Sequence, residues 1–290
     1  GDLKEAADAF KKALELEPDF AEAHFNLGLI YSDEGNQEDA VASLEQAIKR
    51  NPKIAEAHFT LGAVYTEKDM LDEALSEYKK AIDVKPTYSE AYYNYGELLA
   101  AKGIHDKSIA AWKKTIELNP KNTDAYFNLG VAYYNQGKLD KAISMWVKVI
   151  EINPDDHDAL TSLADAYDTK GLTDKAIQTW EKITEAYPND AEVYYKFGNA
   201  YAKKNMYTTA IPQWEKAVGI DPSLVNAYYN LGLVYQKLGK QEEAIDAYKK
   251  VLDINADDIG AHKNLGLLYQ EKGMHIEAES EFAIYQKLES

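Results

Sequence analysis

Residues 123–156 read TDAYFNLGVAYYNQGKLDKAISMWVKVIEINPDD, and nearly the same 34 letters recur along the chain. Pro18, Pro52, Pro86, Pro120, Pro154, Pro188 and Pro222 stand 34 apart without a slip. Gly28, Gly62, Gly96, Gly130, Gly198, Gly232 and Gly266 keep the same frame. A fixed period of this length signals a stack of like supersecondary units, each touching only its neighbours, rather than one core around a central active site. With Ala21 as position 1, the repeats are 21–54, 55–88, 89–122, 123–156, 157–190, 191–224, 225–258 and 259–290. Residues 1–20 form a half repeat covering positions 15–34. The reading is a single solenoid domain over 1–290.

Each repeat predicts two helices. In 21–34 and 38–50, apolar residues fall at helical spacing: Ala23, Leu27, Ile30 and Tyr31, then Ala40, Leu44, Ala47 and Ile48. Position 15 between them is Gly1, Gly35, Asp69, Gly103, Gly137, Gly171, Asn205, Gly239 or Gly273. These are the residue types that tolerate a left-handed backbone, so a helix C-terminal cap is expected there. Proline at position 32 ends the second helix. Position 8 is glycine, or Ala164 in one repeat, and position 20 is alanine or Ser108. Position 24 is always large: Phe10, Leu44, Tyr78, Trp112, Trp146, Trp180, Trp214, Tyr248 and Phe282. Small against large at fixed offsets marks interdigitating helices. In 191–224, Pro212 and Gly219 lie within the second helix, which predicts a slightly kinked helix rather than a hinge.

The set Tyr126, Leu129, Gly130, Tyr133, Ala142, Trp146 and Pro154 resembles the tetratricopeptide repeat, or TPR, family. The resemblance covers the whole chain. It implies an all-α fold, a right-handed superhelical α-solenoid of antiparallel helix pairs, and a function of binding proteins or peptides. Tyr285 at the small position 27 suggests that the array stops there, and the half repeat at 1–20 suggests that the native protein continues upstream.

Composition narrows the partners. The net charge is -17, which disfavours nucleic acid and anionic membranes, since both need a basic surface. Arg50 is the only arginine, so bidentate phosphate or carboxylate forks are nearly absent. There is no cysteine, which excludes disulfides, thiolate nucleophiles and cysteine metal sites. No apolar run is long enough to insert across a membrane, and no signal peptide is visible. A soluble chain is expected, with the cytoplasm favoured over the periplasm.

No catalytic motif is present, and the expectation is a non-enzyme without cofactor or metal. Gly130 to Lys138 only imitates a phosphate loop, because positions 8 and 15 explain both glycines. His24, His58 and His262 share position 4, which normally packs inside the unit, so they read as structural imidazoles rather than metal ligands. Acids at position 2, such as Glu22 and Asp124, suit helix N-termini.

By resemblance, positions 2, 5, 6, 9, 12 and 13 look into the concave face. Position 6 carries Asn26, Asn94, Asn128, Asn230 and Asn264, a row of amides able to donate to and accept from a peptide backbone. It resembles the ladder in the TPR arm of the O-linked N-acetylglucosamine transferases. Position 5 adds Phe25, Phe59, Tyr93, Phe127, Tyr195 and Tyr229, and position 9 includes Asn199. The chaperone-tail carboxylate clamp uses lysine at position 5 and basic residues at position 9; here Lys263 is the only lysine at position 5 and position 9 holds no basic residue, so such tails are a poor fit. Glu97, Asp165 and Asp168 make the middle of the groove acidic and point to a ligand of basic character, with Lys196, Lys203 and Lys237 beyond it. Removing Asn94 and Asn128 is expected to weaken a ligand and to leave stability nearly unchanged. The leading expectation is a protein-interaction scaffold; the alternatives are a substrate-recruiting arm of a larger enzyme, such as an O-linked glycosyltransferase, and a self-assembling scaffold.

Overall fold

Every thirty-four residues the chain turns twice, once through a left-handed residue and once at a proline, for which Ala256 stands in the repeat at 225–258, and the helices lie between. The computed structural model describes residues 2–290; Gly1, expected as a cap, lies outside them. Among the described residues there are 17 α-helices and no strand. They fall into two compact units, 1–152 and 153–290.

The first unit holds α1 (Asp2–Leu16), α2 (Ala21–Asp33), α3 (Gln37–Arg50), α4 (Ala55–Glu67), α5 (Leu71–Val84), α6 (Ser89–Ala101), α7 (His105–Leu118), α8 (Thr123–Asn135) and α9 (Leu139–Ile152). The second holds α10 (His157–Thr169), α11 (Thr173–Ala186), α12 (Ala191–Lys203), α13 (Tyr207–Ile220), α14 (Val225–Lys237), α15 (Gln241–Ile254), α16 (Ile259–Glu271) and α17 (His275–Glu289). Turns this short force consecutive helices to pack antiparallel.

The caps form as the residue types predict. All eight described position-15 residues have positive φ, from 57° at Asp69 and 58° at Asn205 to 77° at Gly171. The backbone N–H of Gly35 reaches Ser32 O at 3.0 Å and that of Asn36 reaches Tyr31 O at 2.8 Å, which satisfies carbonyls that the helix end leaves open. At several first helices an aspartate or asparagine caps the other end; Asn122 Oδ1 accepts from Ala125 N at 2.7 Å.

Position 8 is small because position 24 of the same repeat fills its space. A Cβ on Gly28 would stand 2.6 Å from Leu44 Cγ, and one on Gly232 would stand 2.7 Å from Tyr248 Cε1. Trp146, Trp180 and Trp214 are at most 2% exposed, as is Leu44. Each such burial contributes about 1.5–3 kcal/mol before entropy is counted. Helix α13 runs unbroken through Pro212.

Candidate functional site

The predicted inner face is made by the first helices of the repeats, and all fifteen candidate side chains there are half-buried. In the first unit, two of the position-5 rings lean on the position-24 rings of their own repeats. Phe59 lies 5.6 Å from Tyr78 and 4.9 Å from Tyr88, and Phe127 lies 6.4 Å from Trp146, centroid to centroid. Phe25 packs against the cluster around Leu44 and Leu61. These aromatics are partly structural.

The asparagines are also partly engaged. Asn26 Nδ2 donates to Glu22 O of its own helix at 2.7 Å, and Asn94 Nδ2 donates to Tyr78 Oη at 3.3 Å. Asn128 Nδ2 donates to Glu97 Oε1 at 2.6 Å and lies 3.4 Å from Tyr93 Oη. Each amide therefore spends donor capacity inside the protein. The expectation that removing Asn94 and Asn128 leaves stability nearly unchanged is corrected here: Asn128→Ala takes from a half-buried carboxylate the donor at 2.6 Å, at a cost of about 1–3 kcal/mol.

Glu97 is the electrostatic centre of this unit. Burial pushes its carboxyl above the usual range, and the nearby charge of Asp124 adds to the shift. Tyr93 is pushed up to about 12, by burial first and then by Glu97 and Asp124. Among the described residues no lysine, arginine or histidine is ion-paired with Glu97. A cavity of about 270 Å³ opens beside it, lined by Thr66, Tyr78, Tyr93, Asn94, Glu97 and Leu98.

The second unit handles its acids differently. Lys196 Nζ is 2.8 Å from Asp165 Oδ2, and Lys203 pairs with Asp168. The basic ligand expected from Asp165 and Asp168 loses its support, because lysines from the next repeat already neutralise both. Asn199 Oδ1 accepts from Trp214 Nε1 at 3.1 Å and from Asn230 Nδ2 at 2.9 Å. Tyr229 stacks edge-on with Tyr248 at 5.6 Å and accepts from Asn264 Nδ2 at 3.3 Å. Tyr195 packs against the cluster around Trp214.

A simple register explains these pairs. Position 9 meets position 6 of the following repeat, 31 residues on: Glu97 with Asn128, Asp165 with Lys196, Asn199 with Asn230. Position 5 meets the same position 6 at 35 residues: Tyr93 with Asn128, Tyr229 with Asn264. Reading the candidates singly, without this register, concealed which charges cancel.

The position-4 histidines are held as structural groups. His58 Nδ1 is 2.6 Å from Glu77 Oε2 and its Nε2 is 3.3 Å from Pro52 O. His262 repeats this with Glu281 at 2.6 Å and Ala256 O at 2.9 Å. His24 keeps only the turn carbonyl, Pro18 O at 3.1 Å. Among the described residues no cluster of three or more His, Asp or Glu side chains is arranged to hold a metal. Among the described residues no helix is long and apolar enough to cross a membrane.

Models of the repeat match most of the chain. One, described as TPR repeat, matches residues 1–34, 28–69, 64–103, 96–137 and 198–239. Two described as tetratricopeptide repeat match 123–156 and 225–258, and 145–178 and 179–211. A comparison with curated proteins finds no match. Among solved structures, the crystal structure of MamA protein is 32% identical over 58% of this chain and 91% of its own, with a TM-score of 0.55. The C-terminal part of a TPR repeat-containing protein from Cytophaga hutchinsonii is similar over 83% of this chain and 99% of its own, at a TM-score of 0.73 and 20% identity. YrrB, described as a TPR protein with an unusual peptide-binding site, is 23% identical over 66% of this chain and 98% of its own, with a TM-score of 0.60. The latter two likenesses speak for the fold alone. With its 34-residue frame, its capped helix pairs and these matches, the chain belongs to the tetratricopeptide repeat family.

Proposed function

We propose that this chain is a non-catalytic protein-interaction scaffold that holds an extended segment of a partner along the first helices of its repeats. The observation that carries the reading is Glu97: a half-buried carboxylate, raised in pKa by burial and by Asp124, beside an open cavity and without a cation. A protein that keeps such a group at a cost to its own stability has a use for it when bound. A lysine or arginine side chain of the partner supplies the missing charge, while the aromatic edges of Tyr93 and Phe127 give apolar contact. The spare hydrogen-bonding capacity of Asn94 and Asn128 serves the partner backbone. YrrB, a protein of the same fold, is described as having a peptide-binding site, which accords with this use of the scaffold.

The test is fluorescence anisotropy with a capped, labelled peptide bearing one central lysine among neutral residues. The scaffold binds it, Glu97→Gln weakens binding by about five- to tenfold, and replacing the lysine by norleucine abolishes the difference between the two proteins. Equal affinity of wild type and Glu97→Gln for the lysine peptide contradicts the reading.

A further inference from the structure

The second unit contains a cavity of about 560 Å³ on its first-helix face, twice the volume of the one beside Glu97 and within the range of ligand pockets. Its floor is apolar: Trp180 and Trp214 close it from below, and Leu233, 42% exposed, opens onto it. Its walls carry three lysines and two aspartates. Lys196 and Lys203 are matched by Asp165 and Asp168. Lys237 has no carboxylate partner among the described residues. Its ammonium stands 4.4 Å from the centroid of the Tyr207 ring and donates to the Tyr207 hydroxyl at 2.5 Å. In a protein of net charge -17, this cavity is therefore locally positive.

One neutral donor is also left over in this lining, beside one unpartnered acceptor, Asp168 Oδ1. Two N–H groups, from Trp214 and Asn230, converge on Asn199 Oδ1. That fixes the Asn199 amide with its oxygen occupied and its NH2 group as the part left to bond. A fixed amide donor and an ammonium without a counter-charge both ask for an acceptor, and an anionic one answers both. The tryptophan and leucine floor asks for apolar surface.

We propose that this cavity binds a partner segment in which a large apolar side chain is flanked by an aspartate or glutamate side chain. Its polarity is thus opposite to that of the Glu97 site. The inference rests on the reading of the first-helix faces as partner-binding surfaces, and adds the ligand chemistry of the second unit.

The probe is a fluorescein-labelled heptapeptide, acetylated and amidated at its ends, with one phenylalanine between two glutamates. Anisotropy is measured with wild type, Lys237→Gln, Leu233→Ser and the control Lys49→Gln, each checked by circular-dichroism melting. Lys237 and Leu233 are exposed, so both variants are expected to fold. The expected result is binding that Lys237→Gln and Leu233→Ser each weaken by roughly three- to tenfold, with Lys237→Gln also flattening the salt dependence and Lys49→Gln, on an exposed second-helix face, having no effect. A phenylalanine-to-glycine peptide loses a similar factor. The inference is overturned if the acidic peptide fails to bind, or if neither variant changes its affinity. Either failure leaves the Glu97 reading standing on its own lysine-peptide test, and failure of that test with success here leaves this site standing.

Discussion

His58 shows how a residue that looks like chemistry can serve packing. It takes the place of the usual position-4 aromatic and spends both ring nitrogens, one on Glu77 and one on Pro52 O. Burial works to push Glu77 up, yet the hydrogen bonds from His58 and from Lys80 at 2.5 Å overcome it, and its carboxyl sits below the usual range. A depressed carboxyl contributes stability above its ordinary pKa and loses it as pH falls through the folded value. His58→Phe keeps the ring and leaves Glu77 short of a donor, so it is predicted to cost about 1–3 kcal/mol in chemical denaturation, and His58→Phe with Glu77→Leu is predicted to recover most of that loss. Glu97 has the opposite sign. Its carboxyl is raised in the fold, so stability falls as pH rises from the ordinary glutamate value through the raised one. Glu97→Gln is predicted to raise Tm above that window and to leave it unchanged well below it. The same substitution then stabilises the free protein and weakens the lysine peptide, a combination that a purely structural carboxylate does not give. Little of this was legible from the sequence. The position-4 histidines read correctly as structural from their register alone, but the Glu77 and Glu281 partners, 19 residues on, carry no sequence mark.

At the scale of the helix pair, the sequence was read almost to the residue. Helices expected at 21–34 and 38–50 are found at Ala21–Asp33 and Gln37–Arg50. The reason is that caps and close approaches are local: a left-handed residue, a proline and a glycine facing a large side chain each fix their own neighbourhood. Gly28→Ala and Gly219→Ala separate the two kinds of glycine. The first puts a methyl into Leu44 and is predicted to destabilise by about 1–3 kcal/mol. The second adds a methyl where nothing lies within 4 Å, on an exposed helical turn, and is predicted to stabilise by up to about 0.5–1 kcal/mol. Thermal and denaturant melts check both. Ala164, opposite Trp180 in the repeat at 157–190, shows that the extra methyl fits when a helix pair has been set for it. Contacts between repeats were harder to foresee. Asp165 and Asp168 read as free acids only because the lysines that match them lie 31 and 35 residues later, at positions that single-repeat reasoning treats as separate.

At the scale of the whole molecule, a regular frame carries irregular charge. The frame accounts for the glycines, alanines, tryptophans and helix-start acids, and leaves function to the residues that differ from repeat to repeat. Glu97 in one unit and Lys237 in the other are two such residues, with opposite charge and no counter-ion among the described residues. The division into units at Ile152 and Asn153 has no counterpart in the sequence, because the repeat at 123–156 keeps the family pattern across it. The central claim is that a partner segment lies on the first helices. The most direct measurement is photo-crosslinking of the lysine peptide, with a benzophenone residue beside its lysine, followed by mass-spectrometric mapping of the attachment sites. The account predicts attachment within α6 and α8, around Tyr93, Glu97 and Phe127, and its loss in Glu97→Gln. Attachment to the second helices α7 and α9, unchanged by Glu97→Gln, would contradict it.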